Sequence, residues 1–354
     1  MTDGPPLLEL RDVSQRYRAR GALLRRSSVQ ALKGINLTLE SGRTACLIGE
    51  TGSGKSTLGR ILVGLTTPSD GTVLHRGRPI TQLRGPAWRE YRRSVQMVFQ
   101  NPTGSFNPML TVGASIRDAL RFSPLPGASS VPNAARLLEQ VELAPQLADR
   151  YPDEVSGGEL QRASIARALA TEPTMIFLDE PASALDVSIR GQIFNLLRRL
   201  QDERGLAYAI VLHDMATVRV LGDDVFVLYL GESVEYARQR TFRRPAHPYA
   251  IALLSASPIE AERRNIRRLE LPDVGTSVSP PPSGCPFQPR CWLHRELGQP
   301  ERCLLEKPLL SLIEPEHEVA CHYADLSLGR ATNHVRTSGR DLAAQPDQLE
   351  IGGS

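Results

Sequence analysis

The chain has 354 residues, 41% of them hydrophobic and 23% charged, a length beyond one minimal domain and a composition that excludes a wholly disordered or fibrous chain. Its 42 Lys and Arg against 39 Asp and Glu leave a formal charge of +3, too slight a surplus to argue for nucleic acid or anionic lipid as the main partner. No run approaches the roughly 18–20 apolar residues of a membrane-spanning helix, and residues 1–10 lack a basic segment leading into an apolar one, so a soluble, non-secreted chain is expected.

Residues 7–250 alternate short apolar runs with helical patterns, which predicts an α/β fold with a mostly parallel sheet wrapped by helices. Strand character is strongest at 44–48, 95–99, 175–178, 207–212 and 225–230. Segment 68–80 sets Asp70-Gly71 and Arg76-Gly77 around 72–75; this is hairpin chemistry and predicts a small antiparallel piece. From 107 to about 170 helical spacing takes over, broken by the Pro-, Gly- and Ser-containing loop 123–132, which reads as a helical insertion. Beyond Pro258 come a charged helix-like stretch (259–270), a Pro-rich linker (271–284), a cysteine region and a polar tail. The expected domains are 7–258 and 259–325, with 326–354 disordered.

Gly49-Glu50-Thr51-Gly52-Ser53-Gly54-Lys55-Ser56-Thr57 fits G-x-x-x-x-G-K-[ST] between an apolar run and a helical pattern, the context that motif requires. Glycines let backbone N–H groups approach phosphate oxygens and the helix start adds its dipole. Lys55 supplies a point charge, and Ser56 an oxygen for Mg²⁺. The run 175–178 ends in Asp179-Glu180. In P-loop ATPases the first such acid holds Mg²⁺ and an adjacent Glu polarises the attacking water, which assigns Asp179 to the metal and Glu180 to general-base work. Solvated acids at a strand end are the bland alternative.

Ser156-Gly157-Gly158-Glu159-Leu160-Gln161-Arg162, about twenty residues before that pair, resembles the signature motif of ABC-transporter ATPase subunits, with Glu159 where Gln is usual. Gln100 resembles the Q-loop glutamine, which touches Mg²⁺ and the membrane partner, Ser183-Ala184-Leu185-Asp186 the D-loop, and His213 the switch histidine. Tyr17 stands where the family stacks an aromatic on adenine. The resemblance implies a P-loop NTPase fold of the ABC type, with ATP and Mg²⁺ bound and ATP hydrolysed. In the family Ser156, Gly157, Gly158 and Glu159 would clamp ATP held by a second, identical or homologous subunit, so that two nucleotides are sandwiched in a head-to-tail dimer.

Asn101-Pro102-Thr103-Gly104-Ser105-Phe106-Asn107-Pro108-Met109-Leu110-Thr111-Val112 and His247-Pro248-Tyr249-Ala250 resemble stretches of the oligopeptide/dipeptide (peptide/nickel) importer branch. That branch implies two membrane permeases, a solute-binding protein acting indirectly, and a place on the cytoplasmic face of the membrane. A soluble ABC ATPase of translation or DNA repair is the alternative, but it usually carries two ATPase units or a long coiled coil; a nucleotide-dependent kinase would need a phosphoacceptor site, and none is evident. Cys285, Cys291, Cys303 and Cys321 resemble the branch's C-terminal cysteine pattern, which in some members ligates a [4Fe–4S] cluster. Four thiols in a reducing compartment suit a cluster or zinc, yet no C-x₂-C pair is present, and plain packed thiols stay open as a third reading. Cys46, in an apolar run, reads as core.

Overall fold

Continuous apolar runs become strands buried on both faces. In the computed structural model, which describes residues 4–18, 28–123, 131–212, 215–242, 244–257, 269, 271–272 and 283–327, β3 (Thr44–Ile48), β7 (Met175–Leu178), β8 (Ala207–Leu212) and β9 (Asp224–Tyr229) are buried at every residue. Parallel strands sheathed by helices require that pattern. With β6 (Val95–Val98) they pair in parallel in the order β9-β3-β8-β7-β6.

A second sheet is antiparallel, in the order β2-β1-β4-β5, with β1 (Leu8–Arg18), β2 (Ser28–Leu39), β4 (Asp70–His75) and β5 (Arg78–Pro79). The hairpin expected in 68–80 is β4–β5. Its turn residues Arg76 and Gly77 both take positive φ, 49° and 77°, as a type I′ turn demands. Strands β1 and β2 escape a reading by sequence pattern because β1 is bulged. Its register shifts between Leu10 and Val13, where Asp12 adopts φ 50°, so the apolar alternation changes phase midway. Asn36 closes the bulge by accepting from the Asp12 N–H and donating to its carboxylate.

Helix α1 (Lys55–Leu62) follows β3, and α2 (Gly85–Ser94) leads into β6. Between β6 and β7 lie α3 (Val112–Leu120), α4 (Val131–Gln140) and α5 (Gly157–Leu169), the helical insertion; residues 124–130 of its loop lie outside the described residues. Buried Arg162 donates to Val141 O, Glu142 and Gln192, tying the insertion to α6 (Val187–Arg204). Helix α7 (Met215–Leu221) precedes β9.

The chain divides into two units. One runs to His213 and includes Thr217–Ser233; the other holds Asp214–Ala216 and the chain from Val234. The second unit contains most of β10 (Glu232–Arg238) and all of α8 (Pro248–Ala256), which lie inside the expected 7–258 segment. Here β10 pairs antiparallel with β12 (His317–Val319), and β12 with β11 (Ser311–Glu314). Two short helices, α9 (Trp292–Glu296) and α10 (Arg302–Leu305), carry the cysteine region. The tail from 328, and of residues 258–282 all but 269, 271 and 272, lie outside the described residues. No helix among the described residues is long and apolar enough to cross a membrane.

Candidate active site

The loop between β3 and α1 closes over its own lysine. Lys55, 5% exposed, donates through Nζ to Gly49 O and Glu50 O at 2.7 Å each and to Ser53 Oγ at 3.2 Å. An ammonium so placed at a helix start is suited to binding an anion. Gly54 sits at the N-cap in the left-handed region, φ 104°, with no side-chain cap on the helix, so the first-turn N–H groups keep their donor capacity. Glycine is required there: a Cβ would come within 2.6 Å of Ala31 O and 2.7 Å of Leu32. Burial lowers the lysine's pKa, while Glu180, Asp179 and Glu50 pull it back up. Thr51 and Gly52 are exposed, whereas Ser56 and Thr57 are half-buried in the first turn of α1.

Strand β7 delivers the acidic pair. Asp179, 7% exposed, receives a hydrogen bond from the Ser56 hydroxyl; burial raises its pKa, while Ser56 and Lys55 hold it down. Two hard oxygen donors, a hydroxyl and a carboxylate, thus face one another beside the loop, a donor set suited to Mg²⁺. Glu180 takes φ 47°, uncommon for a long side chain and a local strain of the kind seen at functional sites. Gln100, just past β6, donates from Nε2 to Glu180 Oε2 at 2.7 Å. Ser183 N–H and Oγ–H both reach Glu180 O, closing the turn after the strand.

Ser156 caps α5 through a capping box with Glu159. A Cβ on Gly157 would lie 3.8 Å from Leu185, and one on Gly158 2.9 Å from Ile189, so the Ser-Gly-Gly start packs against the segment that holds Asp186. Asp186 is itself the exposed N-cap of α6. Ser156 and Glu159 hydrogen-bond to one another within their own turn. Tyr17 stands on β1 opposite Val29, 37% exposed. His213 lies outside the described residues. The motifs did not announce Gly231, whose N–H donates to Ser53 O at 3.1 Å and whose carbonyl accepts from Lys33 N–H at 2.8 Å. Its only sequence signal is a glycine just after the last apolar run.

In the second unit the four late cysteines line one cavity of about 20 Å³, with His247 and His294 on its wall. All are free thiols. Burial raises Cys291 and Cys321 to about 12, and Cys303 is also raised, again mainly by burial. The donor chemistry suits a soft metal, but the arrangement does not fit a four-iron cluster. The cavity has room for about one water, and among the described residues no three His, Cys, Asp or Glu side chains are placed to hold an ion.

This architecture, an anion loop before α1 and a serine-capped helix inserted ahead of the acidic strand, is that of an ABC ATPase cassette. Residues 32–183 match the family described as ABC transporter, and residues 234–297 the oligopeptide/dipeptide transporter C-terminal region. The dimeric post-hydrolysis state of the ATP-binding cassette MJ0796 bound to ADP and Pi superposes with TM-score 0.59 at 30% identity, covering 66% of this chain and 99% of that one. The cbiO1 structure from Clostridium perfringens, part of the cbiONQ transporter complex, gives TM-score 0.57 at 25% identity, over 74% and 100% of the two chains. A probable peptide ABC transporter ATP-binding protein, y4tS of Sinorhizobium fredii, is 42% identical over 330 residues, 92% of this chain and 91% of the relative. The oligopeptide transport ATP-binding protein OppF of Escherichia coli is 40% identical over 307 residues, 84% and 89% of the two. The chain belongs to the ATP-binding proteins of ABC transporters, within the group that carries the oligopeptide/dipeptide transporter C-terminal region.

Proposed function

We propose that this chain is the ATP-hydrolysing motor of an importer for peptides or related small solutes, docked at the cytoplasmic face of the membrane on two permeases. The observation that carries the reading is the convergence of Lys55, Ser56, Asp179, Glu180 and Gln100 at the ends of β3, β6 and β7. Residues 49–57 cradle the triphosphate, and Tyr17 stacks on the base. Mg²⁺, when bound, neutralises phosphate charge; Ser56, Asp179 and Gln100 are its holders. Glu180 takes the proton of the attacking water, oriented through the Gln100 amide, and His213 contacts the γ-phosphate. Ser156 to Glu159 and Asp186 serve the nucleotide of a second subunit. We assign 7–258 to the ATPase domain, 259–325 to the transporter-type extension and 326–354 to a disordered tail. Loss of the bridging phosphate reopens the dimer, which turns hydrolysis into movement. A solute-binding protein outside the membrane delivers the cargo.

Names of relatives that specify peptide transport support the importer over a ribosome- or DNA-directed ATPase. Affinity purification from detergent extract tests it: permeases should co-purify with ATPase activity, and ribosomes or DNA in their place would overturn it. As a finer proposal, Cys285, Cys291, Cys303 and Cys321 pack as plain free thiols around one cavity. Four thiols alkylated in urea, in protein purified without oxygen, is the expected result; stoichiometric iron and sulfide, or stoichiometric zinc, would sink it.

A further inference from the structure

One carboxylate oxygen occupies both donors that Ser156 could offer an incoming anion. Glu159 Oε2 accepts the Ser156 hydroxyl at 2.6 Å and the Ser156 backbone N–H at 3.1 Å. In return Ser156 Oγ accepts from the Glu159 N–H at 3.4 Å. The result is a closed capping box at the start of a 13-residue helix. Ser156 and Gly157 are exposed and Glu159 is half-buried, so this turn faces solvent with its anion position already taken by the chain's own charge.

We propose that Glu159 is a positioning residue acting through Ser156: its carboxylate is an internal stand-in for phosphate that must leave before this face can close on a nucleotide. The inference rests on the reading of Ser156 to Glu159 as the cradle for a second subunit's ATP, and deepens it by naming what regulates closure. Two effects act in one direction. The Ser156 hydroxyl must exchange a short charge-assisted hydrogen bond for one to a phosphate oxygen, so the bond formed on closure is offset by the bond given up. The displaced carboxylate also stays within a few ångströms of a polyanion, and a like charge at that range in water-like surroundings weakens an affinity by about fivefold. Glutamine would differ only in charge. It completes the same capping box, because its side-chain carbonyl can accept from the Ser156 N–H, yet it neither holds the hydroxyl as strongly nor repels phosphate. Glu159 therefore sets a threshold: closure on this face needs more ATP than a neutral residue would require.

The test is ATPase activity of the full chain assembled with its permeases, titrated with ATP at about 25 mM and about 500 mM salt, for the wild type, Glu159→Gln and Glu159→Ala. Thermal melting of each and ATP binding by the isolated chain serve as controls. Glu159→Gln should keep the wild-type melting temperature and leave isolated-chain ATP binding unchanged, while lowering the half-saturating ATP concentration about three- to tenfold at low salt. High salt should erase part of that gain, because screening weakens the repulsion and leaves the hydrogen-bond exchange; a merely structural cap would show no salt-dependent difference. Glu159→Ala should share the gain but melt lower, having lost the side-chain half of the capping box. An unchanged or raised ATP requirement in Glu159→Gln would overturn the inference. If Lys55→Ala left ATP binding intact, the proposed function would fall instead, so the two failures read out separately.

Discussion

The Gln100 amide donates to the Glu180 carboxylate at 2.7 Å across 80 residues of sequence. The bond fixes the orientation of the one acid beside the phosphate loop whose backbone sits at positive φ. A base held in this way is aimed before substrate arrives. Glu180→Gln should lower turnover by about 10²–10⁴-fold while leaving ATP affinity intact, so a nucleotide-bound dimer should accumulate in gel filtration. Gln100→Ala should cost turnover less, about tenfold, with the base present but unaimed. Full activity in Glu180→Gln would refute the assignment of the base.

Burial holds the Lys55 ammonium below its ordinary 10.5. A cation with a depressed pKa in the fold gives up its proton there before the unfolded chain does, so between the two values the unfolded state binds more protons and stability rises with pH. Nucleotide binding runs the other way, because the neutral amine attracts no phosphate. In the wild type minus Lys55→Met difference, ATP affinity should therefore fall with rising pH from below 10.5, while the ligand-free melting temperature gains over the same window. A midpoint for ATP loss at or above 10.5 would contradict the buried geometry.

Gly59 lies in α1 against Phe177 of β7, where an added Cβ would stand 2.2 Å from the ring. This contact sets how closely the loop helix approaches the acidic strand, so Gly59→Ala should cost about 1–3 kcal/mol by overpacking. It should also reduce turnover by displacing Asp179 from Ser56. Urea titration and ATPase assays measure the two effects; a fold as stable as wild type would show that the helix shifts without consequence.

The loop at 49–57 was legible because its demands are local. Its glycines, lysine and hydroxyl residues are written in adjacent positions, whereas the capping box of Ser156 with Glu159 is seen only in the structure. The parallel strands were legible for a related reason, since burial on both faces leaves unbroken apolar runs. Strand β1 was not, because the bulge at Asp12 breaks its alternation. Gly59 against Phe177, Gly231 beneath Ser53, and Glu235 with His317 were not legible either. Each depends on a partner far along the chain, and one residue alone carries no sign of it. Cysteine spacing suggested a shared site but not its width.

Burial raises Cys291 and Cys321 to about 12. Every pH unit by which a thiol's pKa climbs removes roughly a factor of ten in thiolate, the reactive form. At about pH 8 both should react with iodoacetamide at least about 100-fold more slowly in the metal-free folded chain than in urea, as followed by peptide mass mapping. Equal rates in the two states would show that the folded chain does not bury these thiols.

Glu235 and His317 form an ion-pair geometry at 2.7 Å with side chains 0% and 1% exposed, the imidazole being charged only when protonated. The carboxylate has two further partners, the Ala246 and His247 N–H groups at 2.9 Å each. One side chain on β10 therefore anchors both the segment entering α8 and the strand β12, 82 residues away. Taking either partner from such a site leaves the others buried and unpaired, which costs about 3–5 kcal/mol for a buried pair. Glu235→Ala should consequently unfold the second unit at markedly lower urea, seen as loss of hydrogen-exchange protection in β12 before any loss in β3. Glu235→Gln should recover part of the stability, because its carbonyl can still accept from one of the two N–H groups while its amide faces the imidazole. Replacing both partners together, Glu235→Leu with His317→Leu, should be less destabilising than Glu235→Ala alone, since no polar group is then stranded. If the double replacement were the worst of the three, the pair's own attraction, and not the cost of leaving one member unpaired, would be what holds this unit together.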